Sequence, residues 1–150
     1  METLNARKES VIQAISTLED AVQLYQKSLT APENTTSYTL FASKERLVET
    51  TRDSMIQRFE YCCDTLWKLL RDHLKKVELV TLDIIGPKST FRALCNAKFI
   101  TEQDAQAAIS MIESRNMTSH TYKEEYADTI ARSMPEYLAL MQKLIALLKQ

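Results

Sequence analysis

RDSMIQRFEYCCDTLWKLLRDHLKKV, residues 52–77, decides how this chain folds. Ile56, Phe59, Cys63, Leu66, Leu70, Leu74 and Val77 recur at steps of three and four. That spacing returns each side chain to one face of an α-helix. Met55, Cys62, Trp67 and Leu69 widen the stripe, so the helix faces more than one neighbour. It is expected to start near Ser43 and end near Val77, a rod of about 50 Å at ~1.5 Å per residue. His73 lies on the apolar band with no acidic or cysteine partner at ligand spacing, which makes it a packing or boundary residue.

The flanks repeat the theme. Leu4, Val11, Ile15, Leu18, Val22, Tyr25 and Leu29 form a narrower seam, predicting a helix over 3–29. TAPENTTSYT (30–39) breaks the pattern and suits a crossover loop. VELVTLDII (77–85) is rich in β-branched residues, but a lone strand has no pairing partner, so an extended connector is expected. Gly86-Pro87 stops it, and a short helix is expected over 90–97. Thr101-Glu102-Gln103-Asp104 spells a helix start, predicting a helix to about Arg115 that buries Ala105, Ala108, Ile109 and Ile112. The last helix is expected from Thr121, where Thr121-Tyr122-Lys123-Glu124 has the form of a capping box. Its stripe is Tyr126, Ile130, Met134, Tyr137, Met141, Leu144, Ile145 and Leu148.

One glycine and three prolines in 150 residues leave little material for the turns of a sheet. The expected fold is all-α: a single domain over 1–150, an antiparallel up-down four-helix bundle with one additional short helix. A net charge of −1 supplies no global field toward nucleic acid or an anionic membrane. The three cysteines, Cys62, Cys63 and Cys95, are odd in number and lack a CxxC, so reduced thiols in a cytoplasmic protein are expected. There is no apolar run at the N-terminus of the kind a signal peptide needs, and no 18-residue apolar stretch. A di-iron bundle needs Glu-x-x-His pairs. Leu70 precedes His73 and Met117 precedes His120 at that spacing, which argues against it.

SRNMTSHTY (114–122) holds one of the two histidines, between two helices. In a continuous helix, at about 100° per residue, Arg115 and Tyr122 would align and His120 would point away. A joint between residues 116 and 121 changes that. Asn116 would end one helix in the left-handed conformation, and His120 and Tyr122 would stand at the start of the next, beside its anion-favouring donor end. A neutral histidine can take a proton near pH 7, and an arginine can hold a phosphate in two-point contact. From spacing alone, a polar helix joint in solvent explains the same residues. Glu60 and Asp64, i and i+4 on the second helix, are candidates to orient the arginine or histidine, Glu60 the stronger of the two.

Arg115-x4-His120-x-Tyr122 resembles the Rx4HxY motif of the HEPN superfamily. The stretch from Arg52 to Tyr61, with Leu66-Trp67-Lys68-Leu69-Leu70, resembles the helix typical of the nucleotidyltransferase substrate-binding proteins within it. SRNMTSHTY is similar to the same group's motif block, and the likeness spans about 45–148. The resemblance implies a four-helix bundle that forms a homodimer. It implies a toxin that cleaves RNA without a metal or other cofactor, with Arg115 and His120 as the catalytic pair. It also implies a partner, a minimal nucleotidyltransferase (MNT) antitoxin, that transfers AMP to Tyr122, with Asn116 supporting the turn. The group's older name implies instead a non-catalytic subunit that binds nucleotide or presents substrate to the transferase.

Overall fold

The helix that contains residues 52–76 is the longest in the molecule, and the others are arranged around it. The structure, a computed structural model, describes residues 2–33, 43–78, 81–82 and 85–148. Five α-helices occur among them: α1 Leu4–Leu29, α2 Lys44–Lys76, α3 Pro87–Asn96, α4 Glu102–Met117 and α5 Glu124–Ala146. A one-turn 3-10 helix, Thr118–His120, joins α4 to α5.

Local chemistry sets several of these ends. The Thr3, Ser43 and Thr101 hydroxyls accept from the amides of Ala6, Arg46 and Asp104 at 3.1, 3.2 and 3.1 Å. Each satisfies an otherwise orphaned donor, an effect of about 1 kcal/mol. The short helix starts at Pro87, three residues earlier than expected, because proline's missing N–H costs nothing in a first turn. α3 ends at Asn96, and just beyond its cap Ala97 the φ of 60° at Lys98 turns the chain so that the Phe99 amide donates to the Leu94 carbonyl at 2.9 Å.

Polar pairs fix the helix directions. Ser28 at the end of α1 meets Thr51 near the start of α2 at 3.0 Å, and Arg7 at the start of α1 pairs with Asp72 near the end of α2. Those two helices are therefore antiparallel. The α4–α5 pairs Ser114–Tyr137 at 2.7 Å and Asp104–Lys143 at 2.8 Å run in opposite senses too. Arg115–Asp64 and the His73–Phe99 ring contact set α4 antiparallel to α2. Lys8 reaches the Leu148 carbonyl, which sets α5 antiparallel to α1. The result is an up-down four-helix bundle, with α3 packed on α4 and α2.

The core follows the apolar stripes. Phe59, Leu66, Leu70 and Leu74 of α2 are fully buried, as are Leu18, Phe91, Ala108, Met134 and Met141 from the other helices. Burying one such large side chain contributes roughly 1.5–3 kcal/mol. His73 is buried, with its ring 5.4 Å from that of Phe99, in the packing role its position predicts. Val77 departs from expectation: it caps α2 past the last neighbour and is 51% exposed. Most of the 30–39 crossover and part of the 77–85 connector lie outside the described residues, and the described part of the connector contains no strand. Among the described residues, no helix is long and apolar enough to cross a membrane.

Candidate functional site

Arg115 stands in the last turn of α4 and reaches across to α2. Its Nε and Nη2 donate to Asp64 Oδ1 and Oδ2 at 3.1 and 3.0 Å, a two-point clamp. Nη1 donates to Thr118 Oγ1 at 2.8 Å and lies 3.2 Å from Glu60 Oε2. The Asp64 hydrogen bonds, outweighing partial burial, push the guanidinium's pKa above its ordinary value. Both acidic residues proposed from the i, i+4 spacing therefore touch Arg115, but Asp64 is the principal partner.

Thr118 connects this clamp to the turn. It is buried, and its hydroxyl donates to the Arg115 carbonyl at 2.7 Å while accepting from the Arg115 side chain. His120 ends the same 3-10 turn and is exposed. Its ring centroid lies 6.2 Å from that of Tyr122 and 6.5 Å from that of Tyr126. Tyr122 is 75% exposed. The motif thus forms two adjoining groups joined through Thr118: Arg115 with the α2 carboxylates, and His120 with two tyrosines.

Three expectations are corrected here. Asn116 does not end α4 in a left-handed conformation, because the helix continues to Met117 and only Lys98 has a positive φ among the described non-glycine residues. Asn116 is exposed, and its carbonyl accepts from the Ser119 hydroxyl at 3.3 Å. Thr121 does not cap α5. A cap residue needs extended backbone, whereas Thr121 is helical at φ −71° and ψ −3°, and its hydroxyl donates to the Thr118 carbonyl. Lys123, at φ −90° and ψ 118°, takes the cap position, so the chain reverses about two residues later than the sequence suggests. Finally, the donor end of α5 carries Glu124 and Glu125, which already complement the helix dipole and oppose a phosphate there.

What holds α5 in place came from a residue read only as part of a matching block. Arg52 is 4% exposed, and its Nη1 meets Glu124 Oε2 at 2.6 Å and Asp128 Oδ1 at 3.1 Å. Its Nε donates to Asp53 at 3.0 Å. Glu124 raises the Arg52 pKa, and Arg52 holds the Glu124 carboxyl below its usual range. The only sequence signal was the i, i+4 pair Glu124 and Asp128 on one face of α5. Among the described residues, no group of three His, Cys, Asp or Glu side chains is disposed to hold a metal ion.

The fold and site define a helical bundle that presents an Rx4HxY turn between its last two helices. Residues 6–150 match the model for "Nucleotidyltransferase substrate binding protein like". The chain belongs to that family. A Thermus thermophilus protein of known structure is similar, at 26% identity and a TM-score of 0.71, over 93% of this chain and 99% of that one. A Haemophilus influenzae protein, described as showing the fold of a substrate binding domain of a nucleotidyltransferase, matches at 22% identity and a TM-score of 0.64, over 98% and 97% of the two chains. The tri-AMPylated HEPN toxin of Shewanella oneidensis, solved with its MNT antitoxin, matches at 17% identity and a TM-score of 0.62, over 98% and 97%. No curated protein sequence matches.

Proposed function

We propose that this protein is a HEPN-type toxin that cleaves RNA at Arg115 and His120 and is silenced when a partner minimal nucleotidyltransferase places AMP on Tyr122. The observation that carries the reading is the pairing of an exposed His120 with an exposed Tyr122 at 6.2 Å, on a turn anchored by Arg115. In cleavage, neutral His120 takes the proton of a ribose 2′-hydroxyl. The 2′-oxygen bonds to the adjacent phosphorus and the bond to the 5′-oxygen breaks. That oxygen leaves with a proton from water, and the products are a 2′,3′-cyclic phosphate and a 5′-hydroxyl. Arg115 offsets the charge that builds on the phosphoryl oxygens. In modification, the Tyr122 phenol oxygen attacks the α-phosphorus of ATP, loses its proton and displaces pyrophosphate. The AMP then adds bulk and negative charge beside His120.

A second reading, a non-catalytic subunit that binds nucleotide or presents substrate to the transferase, is favoured by the state of Arg115. Nε, Nη1 and Nη2 are all engaged by Asp64, Glu60 and Thr118, and two carboxylates surround one guanidinium. A phosphate held in two-point contact must displace one of them. Co-expression with a minimal nucleotidyltransferase, followed by intact-mass measurement, tests the shared part of both readings. AMP-sized mass gains that vanish in Tyr122→Phe are expected. Gains that persist in Tyr122→Phe would move the acceptor elsewhere. Growth inhibition without the partner, lost in His120→Ala, separates the toxin from the passive subunit.

A further inference from the structure

Beside His120, the surface between α4 and α5 opens into a groove of about 280 Å³ whose walls include Met117, Tyr126, Ile130 and Tyr137. Its size is near the lower end for small-molecule sites, roughly 300–1,000 Å³, and suits a flat fragment more than a whole nucleotide. The floor is rigid. The Tyr137 ring stacks on Phe59 at 5.5 Å and 16°, and its hydroxyl is 2.7 Å from that of Ser114. The wall toward the motif is Tyr126, whose ring is 6.5 Å from the His120 imidazole and carries the Lys123 ammonium over its face at 5.5 Å. From the motif outward one meets an imidazole, then a cation on an aromatic ring, then an apolar slot. Glu113 stands at the rim in an ion pair with Lys88 at 3.2 Å.

We propose that this groove takes the nucleobase next to the phosphate attacked at His120. The proposal rests on the RNA-cleavage reading of Arg115 and His120. Base–aromatic stacking contributes about 1–3 kcal/mol per base, and Tyr126 presents a ring at the required place. Met117 supplies a soft, adaptable wall. Lys123, whose ammonium lies 5.5 Å from the centre of the Tyr126 ring, puts a positive charge beside that ring for a phosphate. Glu113, whose pair with Lys88 is partly solvated, can accept from an exocyclic amino group. The site therefore favours adenine, cytosine or guanine over uracil. The competing occupants are the adenine of an AMP carried on Tyr122 and the matching face of a second copy of the chain.

The test is NMR titration of the isotope-labelled full chain with each of the four nucleoside 3′-monophosphates, beside an RNA cleavage assay. Amide shifts are expected to gather at Met117, Thr129 and Ile130, with uridine the weakest ligand. Ser110→Trp fills the groove from an exposed position on α4 and is expected to abolish those shifts and raise KM for RNA about tenfold, with helix content unchanged. Glu113→Gln is expected to narrow the gap between uridine and the amino-bearing bases. Shifts in the groove without RNA cleavage would remove the nuclease reading and keep the groove as a base site. RNA cleavage with no groove shifts would overturn the groove and keep the nuclease. Shifts produced only by AMP on Tyr122, or a Ser110→Trp chain that changes oligomeric state while binding no nucleotide differently from wild type, would also overturn it.

Discussion

Asp64 grips Arg115 across the α2–α4 interface through two parallel hydrogen bonds of 3.0 and 3.1 Å, while Glu60 makes one contact at 3.2 Å. Asp64 thus sets the plane of the guanidinium, and Glu60 adds charge. Asp64→Asn is expected to lower kcat for RNA cleavage about tenfold, close to 1.4 kcal/mol of barrier, without raising KM, because removing a negative charge favours RNA. Glu60→Gln is expected to have a smaller effect. Both pairs are partly exposed, so each change should cost less than about 1 kcal/mol of stability. Steady-state kinetics and urea melts on the two variants check this. An equal loss in both would remove the special role of Asp64.

Arg52 is a buried cation that holds the first turn of α5. Replacing it with Met leaves Glu124, Asp128 and Asp53 without it, but all three are at least half exposed and regain water. The loss is therefore expected at about 2–3 kcal/mol, the scale of a hydrogen bond to a charged group. Hydrogen exchange of residues 124–128 should quicken, and Arg52→Lys should recover only part, since an ammonium cannot reproduce the forked contacts. Unchanged exchange at 124–128 in Arg52→Met would contradict this anchoring role.

Acid should destabilise the bundle through two carboxylates. Burial alone would raise the Asp72 carboxyl, but hydrogen bonds from Arg71 and Arg7 outweigh it and hold its pKa below the ordinary value; Arg52 lowers that of Glu124. A depressed folded-state pKa gives stability that is full above the unfolded value of about 4 and is lost as pH falls through the folded value. Tm is therefore expected to be flat from neutral pH to about 5 and to fall below about 4. Asp72→Asn should flatten that fall, and an undiminished acid slope in this variant would count against the pairing.

The thiols should separate by burial. Cys62 and Cys63 are buried, and burial pushes the Cys62 thiol up to about 12 and that of Cys63 well above its ordinary value. Cys95 is only partly buried. A thiol reagent at pH 8 is expected to label one cysteine quickly in the folded protein and all three after denaturation, since the thiolate is the reacting species. Peptide mapping that finds Cys62 or Cys63 labelled first would contradict this packing.

The helices were legible because their signals are local. Thr3, Ser43 and Thr101 each precede an apolar period, and each caps. Thr121 carries the same signal and fails. Its backbone angles are set by a long-range arrangement, Thr118 buried against an Arg115 that is itself tied to α2. No local pattern contains that information. Likewise the i, i+4 spacing put Glu60 and Asp64 on one face correctly, but ranking them needed the height at which α4 crosses α2. Arg52 was visible only as part of a matching block, because its partners on α5 lie 72 and 76 residues away. The motif and its two candidate carboxylates could be recognised from sequence; that Asp64 is the main partner of the arginine, and that Thr118 ties the arginine to the turn, could not.

The most direct test of the central claim is cleavage of single-stranded RNA by the free, unmodified protein, read by the chemical ends of the fragments. With EDTA present, wild type is expected to yield 2′,3′-cyclic phosphate and 5′-hydroxyl ends, with a rate that falls with added salt, as expected for RNA held through its phosphates. Arg115→Ala and His120→Ala should each abolish those ends while keeping the helical spectrum. Wild-type protein that leaves RNA intact would contradict the account and favour the non-catalytic reading, and variants that cut as fast as wild type would contradict the assignment of the chemistry to Arg115 and His120.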